Sequence, residues 1–303
     1  MRHSSLRYTY SGHVFIDPED DIDTVIDAML ESNYSEEFCI AQDFSPDFIT
    51  RLMAAGFLVM STAIVDDEND KGGDHTGKDA PDNGMGLQKE TPPKIYLVLP
   101  KLHLVRTVLF FKNLHVKKSI KHLLSRYELR IDIDFDFILD HCVQTHGGDW
   151  LTSPLVESIR KIRGAAPPLE NFIPANRLER RKAAGSLPYI SSFMELHHDA
   201  SVRRSGASSI PQVRPISFGV YRNGELKAGE VGVIEGRVYT SYSGYYDEDN
   251  AGTVQMILTV RYLQNSGFDF FDLGMPLAYK YALGAQDIDS FSFIKLFRRA
   301  QMC

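Results

Sequence analysis

Cysteine is nearly missing: Cys39, Cys142 and Cys303 are the three in 303 residues. Their odd number and unrelated spacing exclude a disulfide framework and a Cys-x-x-Cys zinc site. Trp150 is the single tryptophan. No apolar run approaches the ~18 residues needed to cross a bilayer, and the longest lies around Gly56–Val65. The opening MRHSSLRYTYSGHVF lacks the apolar core of a secretory signal. A reduced, cytoplasmic protein with no membrane partner is therefore expected. No Gly-x-Ser-x-Gly elbow and no Gly-rich phosphate loop is present, which removes the common hydrolase and nucleotide-binding signatures. His141 and His146 lie five apart, off a shared helical face, and His197-His198 has no cysteine partners. These histidines read as structural or exposed, so no metal is expected.

What is present is ordinary for a globular chain: 43% hydrophobic and 24% charged residues, enough for two domains. A net charge of -7 argues against a protein coated overall by nucleic acid. Between Lys101 and Lys182, however, 15 Lys/Arg face 9 Asp/Glu, a local excess that suits a polyanionic partner. A solvated helical face is the plainer reading of that charge.

Along the chain, Asp21–Leu30 has weak helical character. Ser45-Pro46-Asp47 is a helix start, with Phe48, Ile49, Leu52 and Met53 as the apolar face. Phe57–Ile64 follows as a strand. Asp66–Lys94 is rich in Asp, Gly, Lys and Pro and reads as a disordered insertion. Ile95–Leu99 and Leu104–Phe111 resume as strands. Val116, Ile120, Leu123, Leu124 and Tyr127 then share a helical face, with Lys117, Lys118, Lys121 and Arg126 projecting elsewhere. Asp134 and Thr152-Ser153-Pro154 open two further helices. Ile190–His198 suits a short helix between two loops. Cys142 lies on an apolar helix face and reads as core.

From Pro215 to Ala285 the pattern sharpens. Asn223-Gly224 joins two alternating runs as a hairpin, and the strand pattern continues through Val238, Tyr239 and Tyr242. Met256, Ile257, Val260 and Leu263 fall at helical spacing, closed by Gly267. Phe268–Phe271 forms a strand ending at Asp272. A carboxylate where a buried strand opens into a loop is a common place for chemistry. The alternative is a cap on a helix near Pro276.

The segments SPDFITRLMAAGFLVMS, LHVKKSIKHLLSRYELRIDIDFDFILDHC, DWLTSP, FMELHHDA, PISFGVYRNGELKAGEVGVIEGRVYTS, NAGTVQMIL, FDFFDLG and LGA occur in that order. The set resembles the leucyl/phenylalanyl-tRNA–protein transferases, as a divergent member, over about residues 45–299 outside the insertions. The resemblance implies an α+β fold. A small N-terminal α/β domain would span 1–110, including the insertion 66–94. A C-terminal acetyltransferase-like (GNAT-type) domain with a bent mixed sheet would span 111–303, with insertions near 164–188 and 201–214. It implies transfer of a hydrophobic amino acid from aminoacyl-tRNA to the N-terminal α-amine of proteins beginning with Lys or Arg, marking them for degradation. No cofactor is implied, and a monomer is expected.

Carried over by position, the resemblance makes Asp272 the residue that orients the acceptor amine. Trp150, Tyr239 and Phe271 would line the side-chain pocket, and Lys117, Lys118 and Lys121 would contact tRNA. Two positions depart from the family: Tyr242 stands for its catalytic-site Glu, and Gly274 stands for the Gln of its Asp-x-Gln. Glu230, at an apolar position of the family pocket, could restore a carboxylate; Tyr242, Tyr245 and Lys280 could donate hydrogen bonds. Trp150 as plain core and the lysines as a solvated face are the competing readings. Two other functions remain: a non-catalytic relative that binds N-termini or tRNA, and an acyltransferase with another donor. The missing phosphate loop weighs against acetyl-CoA as that donor.

Overall fold

Strand-forming and helix-forming segments fall largely where the hydrophobic periods place them. The computed structural model describes residues 6–65, 94–146, 148–174 and 212–301. Residues 66–93 of the expected insertion 66–94, residues 175–211 (with the FMELHHDA segment, His197 and His198) and Cys303 lie outside the described residues, and Lys94 itself already belongs to a strand.

In chain order the elements are α1 (Ile22–Glu31), α2 (Pro46–Ala55), β1 (Leu58–Val65), β2 (Lys94–Lys101), β3 (Val105–Leu109), α3 (Lys118–Lys121), β4 (Glu128–Ile131), α4 (Phe135–His146) and α5 (Ser153–Ala165). They continue with β5 (Val213–Arg222), β6 (Glu225–Glu235), β7 (Val238–Tyr246), α6 (Ala251–Asn265), β8 (Phe270–Asp272), α7 (Ala278–Ala282), β9 (Gln286–Asp289) and α8 (Ser290–Gln301). The Ser45 hydroxyl accepts from the Phe48 N–H at 3.4 Å and caps α2, with Pro46 in the first turn. Asn223 and Gly224 both take positive φ, 54° and 83°, the geometry that a tight hairpin of this twist demands.

One expectation changes. Residues 116–127 do not form a continuous basic helix. They make the single turn α3 and a 3-10 turn over Leu124–Arg126. Ile120, Leu124 and Tyr127 are still buried. The same apolar spacing serves two short bent turns as well as one straight helix, and docking onto the sheet decides between them.

Among the described residues the protein is α+β with two sheets: β1–β2, and a mixed seven-stranded sheet in the order β4-β5-β6-β7-β8-β3-β9. All its pairings are antiparallel except β7–β8, which α6 connects as a crossover. β3, ahead of residue 110, lies inside this larger sheet between β8 and β9.

Side chains alternate across a strand, and two buried clusters follow. Val238 and Phe270, paired across β7 and β8, belong to one cluster with Phe48, Leu52, Ile138, Phe293 and Phe297. Their neighbours Tyr239 and Phe271, also paired, belong to the other with Val254, Ile257 and Phe218. One face of the sheet thus meets α2, α4, α5 and α8, and the other meets α6.

Candidate functional site

β8 is only three residues long, and its last residue sits at the parallel junction. Asp272 pairs with Thr240 of β7 and with Val108 of β3. It lies two residues beyond Phe270, so its side chain shares the α8 face of the sheet. There it is fully buried.

Burial of a carboxylate demands donors, and Asp272 has a full set. Arg106 from β3 grips it with two bonds, Nε to Oδ1 at 2.8 Å and Nη2 to Oδ2 at 2.6 Å. The Gly274 N–H donates to Oδ1 at 3.0 Å, and the Thr240 hydroxyl lies 3.1 Å from Oδ2. That hydroxyl is shared with Glu235 Oε2 at 3.2 Å. The Arg106 guanidinium stacks over the Phe293 ring at 4.5 Å. Gly274, at φ 70°, closes the turn after β8 in which its own N–H reaches Asp272. Asp272 does not cap α7.

A second carboxylate lies on the opposite face. Glu230 of β6 is buried; Tyr239 donates its hydroxyl to Oε1 and Gln255 its amide to Oε2, each at 3.0 Å. Gln255 also donates to Thr259 Oγ1 at 2.9 Å. Burial pushes the Glu230 carboxyl above its ordinary range, and the hydrogen bonds from Gln255, Ser241 and Tyr239 pull part of the way back. The Tyr239 and Phe271 rings pack at a tilt with centroids 5.0 Å apart, and the Tyr239 hydroxyl joins this pair to Glu230. Gly232 makes room for it: a Cβ there would lie 2.5 Å from the Tyr239 hydroxyl and 2.3 Å from the Thr240 carbonyl.

Lys280 of α7 links the two centres electrostatically. Its ammonium donates to the carbonyls of Leu273 and Met275 in the turn after β8. Burial lowers it to about 8, while Asp272 and Glu230 hold it up.

The other predicted residues are dispersed. Tyr242, at the β6–β7 bulge, packs in the α8-side cluster and accepts a hydrogen bond from the Val59 N–H at 3.2 Å. Burial drives its phenol far up. It borders a small apolar cavity of about 10 Å³ with Leu139, Leu151, Ile159 and Val231. Trp150 packs in that cluster too, its carbonyl accepting from Ser61, and does not join Tyr239 and Phe271. Lys117, Lys118 and Lys121 are exposed, on the connection between β3 and β4. Tyr245 stacks on His141 at 5.0 Å. His146 Nε2 lies 2.8 Å from the Gly244 carbonyl. Among the described residues no three metal-ligating side chains converge, and no helix is long and apolar enough to cross a membrane.

Sequence reasoning missed Arg106, Thr240 and Gln255. A signal existed for two of them: Arg106 interrupts the apolar strand LVRTVLFF, and Gln255 stands beside Met256 and Ile257 on a helix with little polar surface.

Residues 192–298 match the family described as leucyl/phenylalanyl-tRNA protein transferase. Over 193 residues the chain is 30% identical to the leucyl/phenylalanyl-tRNA–protein transferase of Pseudomonas putida (strain W619), covering 62% of this chain and 65% of that one. It is 28% identical to the protein of the same description from Azotobacter vinelandii, with the same coverage. The chain therefore spans about 65% of the length of these curated relatives. Among solved structures, the C-terminal domain (DUF2156) of a putative lysylphosphatidylglycerol synthetase from Agrobacterium fabrum aligns over 91% of this chain and 72% of its own. At 11% identity and a TM-score of 0.31, that likeness is too distant to carry an argument.

Proposed function

We propose that this chain, a divergent relative of the leucyl/phenylalanyl-tRNA–protein transferases, moves an amino acid from charged tRNA to the N-terminal α-amine of a protein. The observation that carries this reading is one of position. The matched segment 192–298 contains β5–β8 and α6, the part of the sheet that holds Glu230, Tyr239 and Asp272. The mixed sheet with its parallel β7–β8 junction suits the acetyltransferase-like architecture that we propose with it. Lys or Arg as the acceptor's first residue, a role in N-degron degradation, a cytoplasmic location and a monomeric state belong to the same proposal.

The chemistry asks little of the protein. The amine attacks the ester carbonyl, a C–N bond forms, the ester C–O bond breaks, and the amine proton ends on the released ribose hydroxyl. An α-amine with a pKa of about 7.7–8 is partly neutral near pH 7, and the ester is already activated. Positioning the two can supply about 7–11 kcal/mol. In this reading Asp272 serves through Arg106 and the Gly274 turn, because its own oxygens are occupied. Lys280 offers positive charge at the end of β8. Lys117, Lys118 and Lys121 lie along tRNA phosphates.

The filled acceptor positions of Asp272 also favour a second reading, a non-catalytic relative that binds N-termini or tRNA. A labelled amino acid supplied on a full panel of charged tRNAs, with acceptor peptides beginning with each residue class, separates the two. Transfer to any peptide establishes the first reading. No transfer from any tRNA leaves the second.

A further inference from the structure

His103, on the short link between β2 and β3, is 2% exposed. Its Nδ1 faces Glu37 Oε1 at 3.6 Å, and Glu37 Oε2 is paired with Lys101 at 2.9 Å. The Leu104 N–H also donates to Glu37 Oε1, at 3.4 Å. A proton on Nδ1 suits the facing carboxylate and leaves the lone pair on Nε2. Among the described residues Nε2 has no hydrogen-bond partner. Leaving a buried polar atom in this state costs about 1–3 kcal/mol, so a partner is called for.

That nitrogen borders the turn after β8. An added Cβ on Gly274 would meet His103 Nε2 and Leu58 Cδ2, both at 3.9 Å, and nothing nearer. The glycine therefore leaves room for an atom beside Nε2. The Gly274 N–H and Arg106 Nε donate to the same oxygen, Asp272 Oδ1. Arg106 Nη1, the guanidinium nitrogen that Asp272 does not engage, is likewise buried with no hydrogen-bond partner among the described residues. The two atoms are complementary in kind, since a neutral Nε2 accepts and Nη1 donates. One residue past Gly274 the chain reaches the surface, with Met275 42% exposed. Burial lowers the His103 imidazole to about 2, and the charges of Arg106, Lys101 and Lys280 push the same way. It is therefore a neutral acceptor throughout the working pH range.

We infer that His103 Nε2 receives an N–H of the attacking α-amine and holds it at the Gly274 turn, leaving Arg106 Nη1 to donate to the ester carbonyl oxygen. The inference rests on the reading of this chain as an aminoacyl transferase and deepens it by naming what anchors the acceptor. A lone pair needs an incoming donor; the ester carbonyl has none, and the neutral amine has two. The surrounding positive charge admits the neutral amine more readily than the ammonium, and the neutral form is the nucleophile. His103 takes no proton. The C–N bond forms, the ester C–O bond breaks, and the amine proton ends on the ribose hydroxyl. The gain comes from orientation.

The test is nitrogen NMR of the full chain carrying isotope-labelled histidine, beside the transfer assay. The His103 signal is assigned by its absence from His103→Gln. A peptide with a free α-amine should shift the His103 Nε2 signal, and the same peptide N-acetylated should not. In transfer, His103→Leu should lower kcat/KM for the acceptor peptide by roughly 100-fold and leave KM for charged tRNA unchanged. His103→Gln, whose side-chain oxygen can accept, should recover part of that loss. Circular dichroism melts verify folding, and the peptide titration of the parent decides if His103→Leu does not fold. A signal indifferent to the free amine, or a folded His103→Leu with parental transfer, overturns the inference and leaves Nε2 facing a buried water only. A shifted signal in a protein that transfers nothing keeps the amine site and removes the catalytic reading. An indifferent signal in a protein that does transfer removes only the amine site.

Discussion

Arg106 and Asp272 face each other across β3 and β8 as an enclosed two-point ion pair, 1% and 0% exposed. The residue that the sequence singles out as a site carboxylate is thus also the electrostatic keystone of the parallel strand junction. Removing one partner strands the other charge in the interior, which costs about 3–5 kcal/mol. Arg106→Met should lower stability by that order in urea unfolding. Arg106→Met/Asp272→Leu should recover much of it, and two losses that simply add would show that the pair is not coupled.

Asp272→Asn separates positioning from chemistry. Asn keeps the shape but presents an N–H where Asp272 receives two of its donors. If Asp272 serves transfer, the variant should lose transfer from charged tRNA well beyond its loss of stability. A non-catalytic relative would keep its binding of tRNA unchanged once the variant is folded.

Glu230 makes a pH prediction of unusual sign. Its carboxyl is raised in the folded state by burial. As pH climbs above the ordinary carboxylate range, the unfolded chain ionises this group while the folded chain resists. The parent should therefore lose stability as pH rises above about 4.3, until the folded carboxyl ionises as well. Glu230→Gln, relative to the parent, should look progressively better as pH rises above about 4.3 in urea titrations. A difference that does not change with pH would sink this account.

Lys280 acts in the alkaline range. Its folded value is lowered from 10.5 to about 8 by burial. Between these values the unfolded chain holds the proton and the folded chain releases it, so stability from this group rises as pH goes from about 8 to 10.5. Lys280→Met should remove that rise. It should also loosen the Leu273–Met275 turn, seen as faster amide hydrogen exchange there.

Gly232→Ala tests the packing beneath Tyr239. With a Cβ 2.3 Å from the Thr240 carbonyl, neither β6 nor β7 can hold its place. A loss of about 1–3 kcal/mol or more is expected in thermal unfolding. A neutral substitution would show that the junction yields easily.

Several features were legible in the amino-acid order because they depend on local preferences. The Ser45 cap, the Asn223-Gly224 hairpin, the α6 period, the Gly267 stop and the strand ending at Asp272 each follow from neighbours a few residues apart. The ordered segments also carried the family resemblance. Even the separation of Phe271 from Asp272 was implicit, since adjacent strand residues point to opposite faces.

Three things were decided by tertiary contact alone. Arg106 lies 166 residues before Asp272 and meets it only because β3 inserts between β8 and β9. Gln255 becomes a partner of Glu230 because α6 crosses over that face of the sheet. Trp150 parts from Tyr239 and Phe271 because the sheet stands between the two buried clusters. Periods of two and 3.6 residues determine which way a side chain leaves its own element. Which element it then meets depends on strand order, and strand order is settled by burying both faces of one sheet at once.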